Sequence, residues 1–239
     1  MNSRNELRSG MPEGAPKALV VAIDGPAASG KGTLARRLAD RLGFAHLDTG
    51  SLYRAVGLAV IRGGGDPGDA AAATAAARAL HPETTPRVLA DPALRGDEIA
   101  AAASKVAVVP AVREALLAFQ RDFASNPPGG ARGAVLDGRD IGTIVCPGAD
   151  AKLFVTASVE ARAERRLKEL RDRGITVIYA AVLEDMRERD ARDSQRAVAP
   201  LKPAADAFLL DTSSLNADQA LDAAISFISS KTGLSDHCA

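Results

Sequence analysis

The chain has 239 residues, of which 46% are hydrophobic and 25% charged, as expected for one folded domain with insertions rather than a disordered chain. Its 30 basic and 30 acidic side chains cancel, so no global charge favours a nucleic-acid partner. Two cysteines without paired spacing exclude a disulfide framework and a four-thiolate zinc site, and no apolar run reaches the roughly 18 residues that span a bilayer.

Residues 1–17 come before the first apolar run and are rich in serine, glycine, proline, asparagine and charge. This composition predicts a disordered leader, and the segment lacks the apolar core of a signal peptide. The absence of such a core, together with two cysteines that lack paired spacing, predicts a cytoplasmic protein that does not associate with membranes.

Five apolar runs predict buried strands. The first, ALVVAI at 18–23, leads into a glycine-rich turn and then into the helical pattern TLARRLADRL. The others are FAHLD at 44–48, GAVLD at 133–137, KLFVT at 152–156 and AFLLDT at 207–212. Because helical stretches separate these runs, we expect an α/β fold of three layers, αβα, around a five-stranded parallel sheet.

Two segments interrupt the alternation of strands and helices. Residues 66–103 begin with an alanine-rich helical stretch and continue with turn formers that have little periodicity, which predicts an insertion. The charged stretch 158–196 predicts two helices around a short loop near Gly174, with a lid at about 172–182. The core is then formed by 18–65 and 104–239.

The turn after the first strand has the pattern of a phosphate-binding loop, because Gly25, Gly30 and Lys31 fit G-x-x-x-x-G-K. Glycines let backbone N–H groups surround an anion, the next helix presents its positive end, and the lysine reaches the β- and γ-phosphates. Serine or threonine usually follows the lysine. Here Gly32 does, so Thr33 is the candidate for a hydroxyl that faces magnesium. The predicted ATP-binding loop comprises Gly25, Pro26, Ala27, Ala28, Ser29, Gly30, Lys31, Gly32 and Thr33. A P-loop NTPase-type fold alone leaves ATPase, GTPase and kinase open.

Four motifs, GKGT, LDTGSLYR, DGRD and RDARDSQR, together resemble the bacterial cytidylate kinase family of nucleoside monophosphate kinases. The resemblance extends from about Leu19 to Thr212. It implies transfer of the γ-phosphoryl group of ATP to CMP or dCMP, with Mg²⁺ accompanying ATP. It also implies a monomer in which 66–103 is the insertion that binds the nucleoside monophosphate.

Such a kinase holds a dianionic acceptor beside a tetra-anionic donor and needs arginines that converge on phosphates. Arg54 and Arg139 follow predicted strands, at the edge where parallel sheets bind ligands. The resemblance assigns both to the acceptor phosphate. Asp137, at the end of a strand, is a candidate to orient magnesium through water.

Cytosine presents an amino donor beside the ring acceptor N3, so its pocket needs an acceptor side chain next to a donor. The resemblance assigns Asp140 and Ser104 to the amino group and Arg113 to N3. It also brings Thr49 near the acceptor, although the Thr49 hydroxyl equally suits a helix cap.

The segment RERDARDSQR carries charges at steps of three or four residues, which predicts one helical face with three cations and one acid. The resemblance assigns Arg189 and Asp193 to the acceptor ribose, and Arg192 and Arg196 to phosphates at the transfer step. Arg165 is assigned to the donor side. The predicted catalytic residues are Lys31, Arg139, Arg192 and Arg196.

Two rival functions stay open at this point. Another small-molecule P-loop kinase would share the loop but not the set formed by Ser104, Arg113 and Asp140. A nucleotide-responsive binding module would bind both nucleotides without turnover, but the arginine-rich face would then have no purpose.

Overall fold

The computed structural model describes residues 17–80 and 85–234. The predicted leader lies outside these residues except for Lys17, and Cys238 also lies outside them. No helix in the described ranges combines the length and apolarity needed to cross a bilayer.

The described residues form one five-stranded parallel sheet in the order β2-β3-β1-β4-β5. The strands are β1 (Leu19–Asp24), β2 (Ala45–Asp48), β3 (Gly133–Gly138), β4 (Ala151–Thr156) and β5 (Phe208–Asp211). All five predicted strands are confirmed. Their apolar runs lack strict alternation because the central strands are buried on both faces.

Helices cover both faces of the sheet. Within the described residues they are α1 (Lys31–Leu42), α2 (Thr49–Arg62), α3 (Ala70–Arg78), α4 (Thr85–Leu89), α5 (Asp97–Val106), α6 (Pro110–Ser125), α7 (Val159–Asp172), α8 (Tyr179–Ser194) and α9 (Ala217–Thr232). Leu38 of α1 and Ile228 of α9 belong to the core on one face, and Ala124 of α6 belongs to the core on the other. The predicted three-layer αβα fold is therefore confirmed.

The described part of the insertion, 66–80 and 85–103, is helical throughout its regular structure. The segment expected to be turns contains the five-residue α4 and a 3-10 turn at Pro92–Arg95, both too short to give a periodic pattern. The Asp91 carboxylate caps that turn by accepting the Ala93 N–H at 2.9 Å. The predicted insertion approaches α2 closely at Gly57, which has no side chain. A Cβ on Gly57 would lie 2.8 Å from the Cβ of Ala102.

Candidate active site

The phosphate-binding loop connects β1 to α1 and requires glycine at two points. Gly25 has φ +153°, and a Cβ there would lie 2.0 Å from the Val155 carbonyl oxygen of β4. Gly30 has φ +88° and immediately precedes the first residue of α1. The N-terminal end of α1 therefore opens onto the loop, as an anion-binding helix requires. The Ser29 hydroxyl oxygen is buried and has no hydrogen-bond partner in the described structure.

Lys31 lines a cavity at this end of the sheet, and its ammonium donates to the Pro26 carbonyl oxygen at 3.4 Å. Burial, together with the charge of Arg139, lowers the pKa of Lys31 to about 7. A nucleotide phosphate at this position would favour the charged lysine and raise that pKa.

We therefore expect ADP binding at pH 8 to take up about one proton, since the free lysine is largely neutral there and the bound one is charged. Calorimetric titrations in two buffers of different ionisation enthalpy measure this uptake. It should vanish near pH 5.5 and in Lys31→Met. Proton release at pH 8, or equal proton uptake in Lys31→Met, would contradict the expectation that the Lys31 ammonium contacts a nucleotide phosphate.

Two carboxylates stand beside this lysine at the ends of neighbouring strands, Asp48 on β2 and Asp137 on β3. Partial desolvation in the cavity and the charge of Asp137 raise the pKa of Asp48. Asp137 accepts a hydrogen bond from His46, with 2.8 Å between Nε2 and Oδ2. A Cβ on Gly32 would lie 3.9 Å from the other oxygen of Asp137. The missing side chain at this position thus leaves space in front of a carboxylate.

No group of three or more His, Cys, Asp or Glu residues in the described parts of the chain can hold a metal ion by itself. Two mutually repelling carboxylates do suit Mg²⁺, which keeps several waters and takes its other ligands from substrate phosphates. The sequence predicts Asp137 for this position but does not single out Asp48, although Asp48 ends a strand in the same way. The contact made by His46 was also missed.

Arginines from distant parts of the chain line the same cavity. Arg139 donates from Nε to Asp193 at 2.7 Å, and the other oxygen of Asp193 accepts from Arg196. Arg54 of α2 donates to the Leu94 carbonyl oxygen at 2.8 Å. Within the described ranges, the buried Nε of Arg189 on α8 has no hydrogen-bond partner. Burial and the nearby charge of Arg139 lower the pKa of Arg189 to about 10. The cluster holds more positive charge than Asp193 neutralises, so it favours an anion.

A second polar group lies in the cavity beside α5 and α6. Arg113 donates to Asp140 at 2.5 Å, and its guanidinium carbon lies 5.5 Å from the centre of the Tyr53 ring. The Ser104 hydroxyl oxygen is buried and has no hydrogen-bond partner among the residues that the structure describes. This group presents a hydroxyl, a carboxylate and a guanidinium, which together offer acceptors beside donors on side chains that are buried.

Most of the predicted site residues line one cavity. These are Ala27, Ala28, Lys31, Gly32, Thr49, Arg54, Ser104, Arg113, Asp137, Arg139, Asp140, Arg189, Asp193 and Arg196. Thr49 donates its hydroxyl to the Asp137 carbonyl oxygen at 2.8 Å. Thr33 and Arg192 are exposed and do not line this cavity. Arg165 lies beside Gly30 of the loop and donates to Thr212.

Comparison with known proteins gives a consistent result. A family model described as cytidylate kinase matches residues 21–230. A cytidylate kinase from Paramagnetospirillum magneticum is 66% identical over 212 residues, which cover 89% of this chain and 98% of the relative. One from Rhodospirillum rubrum is 64% identical over 214 residues, which cover 90% and 99%. A solved structure of an uncharacterized protein from Eubacterium ventriosum has 14% identity and a TM-score of 0.52, covering 89% of this chain and 99% of that one. This last likeness concerns the fold alone.

Proposed function

The chain belongs to the cytidylate kinase family, and from that premise we propose that its cavity transfers the γ-phosphoryl group of ATP to CMP or dCMP, giving CDP or dCDP and ADP. The observation that carries the proposal is the convergence of a phosphate-binding loop, an arginine cluster and a buried polar group in one cavity. ATP occupies the loop from Gly25 to Thr33, with Arg165 on its outer side. CMP occupies the rest of the cavity.

The base is recognised by Ser104, Arg113 and Asp140. Cytosine offers an amino donor beside the acceptor N3, so the Asp140 carboxylate and the Ser104 hydroxyl accept from the amino group while Arg113 donates to N3. Uracil presents the reverse pattern and would leave the donor and acceptor atoms that face the base unpaired, which costs about 1–3 kcal/mol for each unpaired atom. The unpartnered Ser104 hydroxyl supports this assignment.

The phosphates are held by charge and position rather than by a covalent intermediate. Arg54 and Arg139 bind the acceptor phosphate, and the Lys31 ammonium contacts the phosphoryl group that is transferred. At an effective dielectric constant near 20, each ion pair about 4 Å apart attracts by about 4 kcal/mol before desolvation offsets part of it. Since the acceptor phosphate is already anionic, no general base is needed.

The residues beside Lys31 fit a hydrated magnesium ion carried by ATP. Asp137, and with it Asp48, would hold such an ion through water molecules, and the exposed Thr33 is not required for this. When bound, Mg²⁺ supplies charge neutralisation between the β- and γ-phosphates.

Arg189 and Asp193 bind the acceptor ribose, and Arg196 reaches the phosphates at the transfer step. Two segments close over the nucleotides and exclude water: the lid at about 172–182 and the insertion at 66–103. Arg192 reaches the phosphates only after this closure.

We also propose that the enzyme works as a cytoplasmic monomer. Light scattering that gave twice the mass of one chain would contradict the monomer.

A coupled assay of ADP formation tests the function, with ATP as donor and CMP, dCMP, UMP, AMP and shikimate as separate acceptors. We expect CMP and dCMP to be preferred over UMP and AMP by at least about tenfold, since two or more buried partners distinguish the bases. Comparable rates with AMP would contradict the cytosine assignment. Tight binding of ATP and CMP without any CDP would instead favour a binding module.

A further inference from the structure

A buried arginine outside the nucleotide-binding residues ties three parts of the fold together. Arg162, on α7, is 4% exposed. Its Nε donates to the Ala157 carbonyl oxygen, just after β4, at 3.0 Å. Both terminal nitrogens bind the carboxylate of Asp190 on α8, at 3.0 and 2.6 Å. One of them also donates to the Ala27 carbonyl oxygen in the phosphate-binding loop, at 3.4 Å.

The phosphate-binding loop is in apolar contact with the same two helices. Ala27 belongs to a small core with Ala163 of α7 and Met186 of α8, and Ala28 packs against it. Ala28 has φ +57°, a left-handed conformation that is strained for a residue with a Cβ. The hairpin of α7 and α8 therefore packs on the segment of the loop where the backbone is strained.

The other end of this connection leads to the acceptor-binding face of α8. Asp190 follows Arg189 directly and precedes Asp193 by one helical turn. Arg189 and Asp193 line the cavity, and Asp193 holds both Arg139 and Arg196. Because a helix is stiff over one turn, the position of Asp190 determines where these two side chains lie.

We propose that Arg162, through Asp190, is a positioning residue that sets α8 relative to the phosphate-binding loop, so that the acceptor-binding groups of α8 lie at the correct distance from the donor. The inference rests on the proposed function. Arg162 and Asp190 do not line the cavity, so they act through Arg189 and Asp193 rather than by touching a nucleotide. A planar guanidinium that binds a carboxylate with two parallel hydrogen bonds fixes orientation as well as distance.

Steady-state kinetics with ATP and CMP test this with Asp190→Asn and Arg162→Lys. Each variant removes the two-point contact, and Arg162→Lys does so without changing the charge. We expect both to lower kcat/KM for CMP by about tenfold, the scale of one charge-assisted contact. Glu184→Gln is the matched control, because it removes a charge of α8 whose only ion pair in the described structure is exposed and 3.9 Å long. It should change kcat/KM less than about twofold.

A double-mutant cycle separates positioning from mere stabilisation. If Arg162 acts chiefly by placing Arg189, then Asp190→Asn should lower kcat/KM less than about threefold once Arg189 is alanine, because the side chain that the contact positions is then absent and coupled sites are not additive. The inference would be overturned if Asp190→Asn still lowered kcat/KM about tenfold in that background, or if Arg162→Lys left kcat/KM unchanged.

Thermal unfolding of each variant confirms that the assay temperature lies below its unfolding transition. Should Arg162→Lys not fold, Asp190→Asn in the two backgrounds decides, since Asp190 is only partly buried. A wild-type protein that forms no CDP would instead refute the proposed function.

Discussion

Replacing Lys31 by methionine should lower kcat by about 10²–10³-fold, the loss seen when one preorganised group that stabilises transition-state charge is removed. The affinity for CMP should change much less, because Lys31 lies in the proposed donor loop. The acceptor is instead proposed to contact Arg54 and Arg139. Methionine keeps the length and apolar volume of the lysine stem, so the loop should fold as before.

Steady-state kinetics give kcat, and calorimetry gives the dissociation constant for CMP. Lys168→Met is the matched control, since Lys168 is exposed and pairs only with the exposed Asp172 in the described structure. It should leave both quantities unchanged. Equal losses of turnover and CMP affinity in Lys31→Met would contradict the proposed role of Lys31.

Replacing Asp193 by asparagine should lower the free energy of unfolding by about 3–5 kcal/mol, because removing one partner leaves buried charges uncompensated. Asp193 is 2% exposed and binds Arg139 and Arg196. Burial alone would raise its pKa, but the charges of these arginines hold that pKa below its usual value. The stabilisation is therefore present above the ordinary titration range of aspartate and is lost as the pH falls through the lower, folded-state pKa.

Urea denaturation at neutral and at acidic pH measures both effects. The difference between the wild type and Asp193→Asn should be largest at neutral pH and shrink in acid. Asp218→Asn is the control, because Asp218 is 79% exposed and pairs with Arg37. It should cost no more than about 1 kcal/mol. A cost for Asp193→Asn as small as that of the control would show that the arginines do not depend on this carboxylate.

The sequence predicts the strands well because a buried parallel strand needs an apolar run and a sharp end, and the five runs have both. It predicts α4 poorly, since five residues cannot complete a periodic pattern. Some contacts depend on the order of the strands in the sheet, which no local sequence pattern reveals. His46 reaches Asp137 only because β2 lies next to β3.

The same distinction applies to the candidate site. The sequence predicts site residues at strand ends and in the glycine-rich loop because parallel sheets bind ligands at that edge, and several of these residues line the cavity. On α8 the spacing of three or four residues between charges predicts the site less well, because it includes Arg192 on the same face. Arg189 and Asp193 line the cavity, whereas Arg192 is turned about 100° from Asp193, one residue away, and is exposed. Arg162 contacts Asp190, which lies 28 positions later in the chain, and Ala27, which lies 135 positions earlier. Only the folded chain reveals contacts over such separations.

The most direct test is a crystal structure with CMP and a non-hydrolysable ATP analogue bound together. We expect the CMP phosphate to contact Arg54 and Arg139, and the ammonium of Lys31 to lie at the γ-phosphate. The base should contact Ser104, Arg113 and Asp140. CMP bound elsewhere, or in this cavity with Arg54 and Arg139 turned away from its phosphate, would contradict the central claim that these guanidinium groups gather around two adjacent nucleotides.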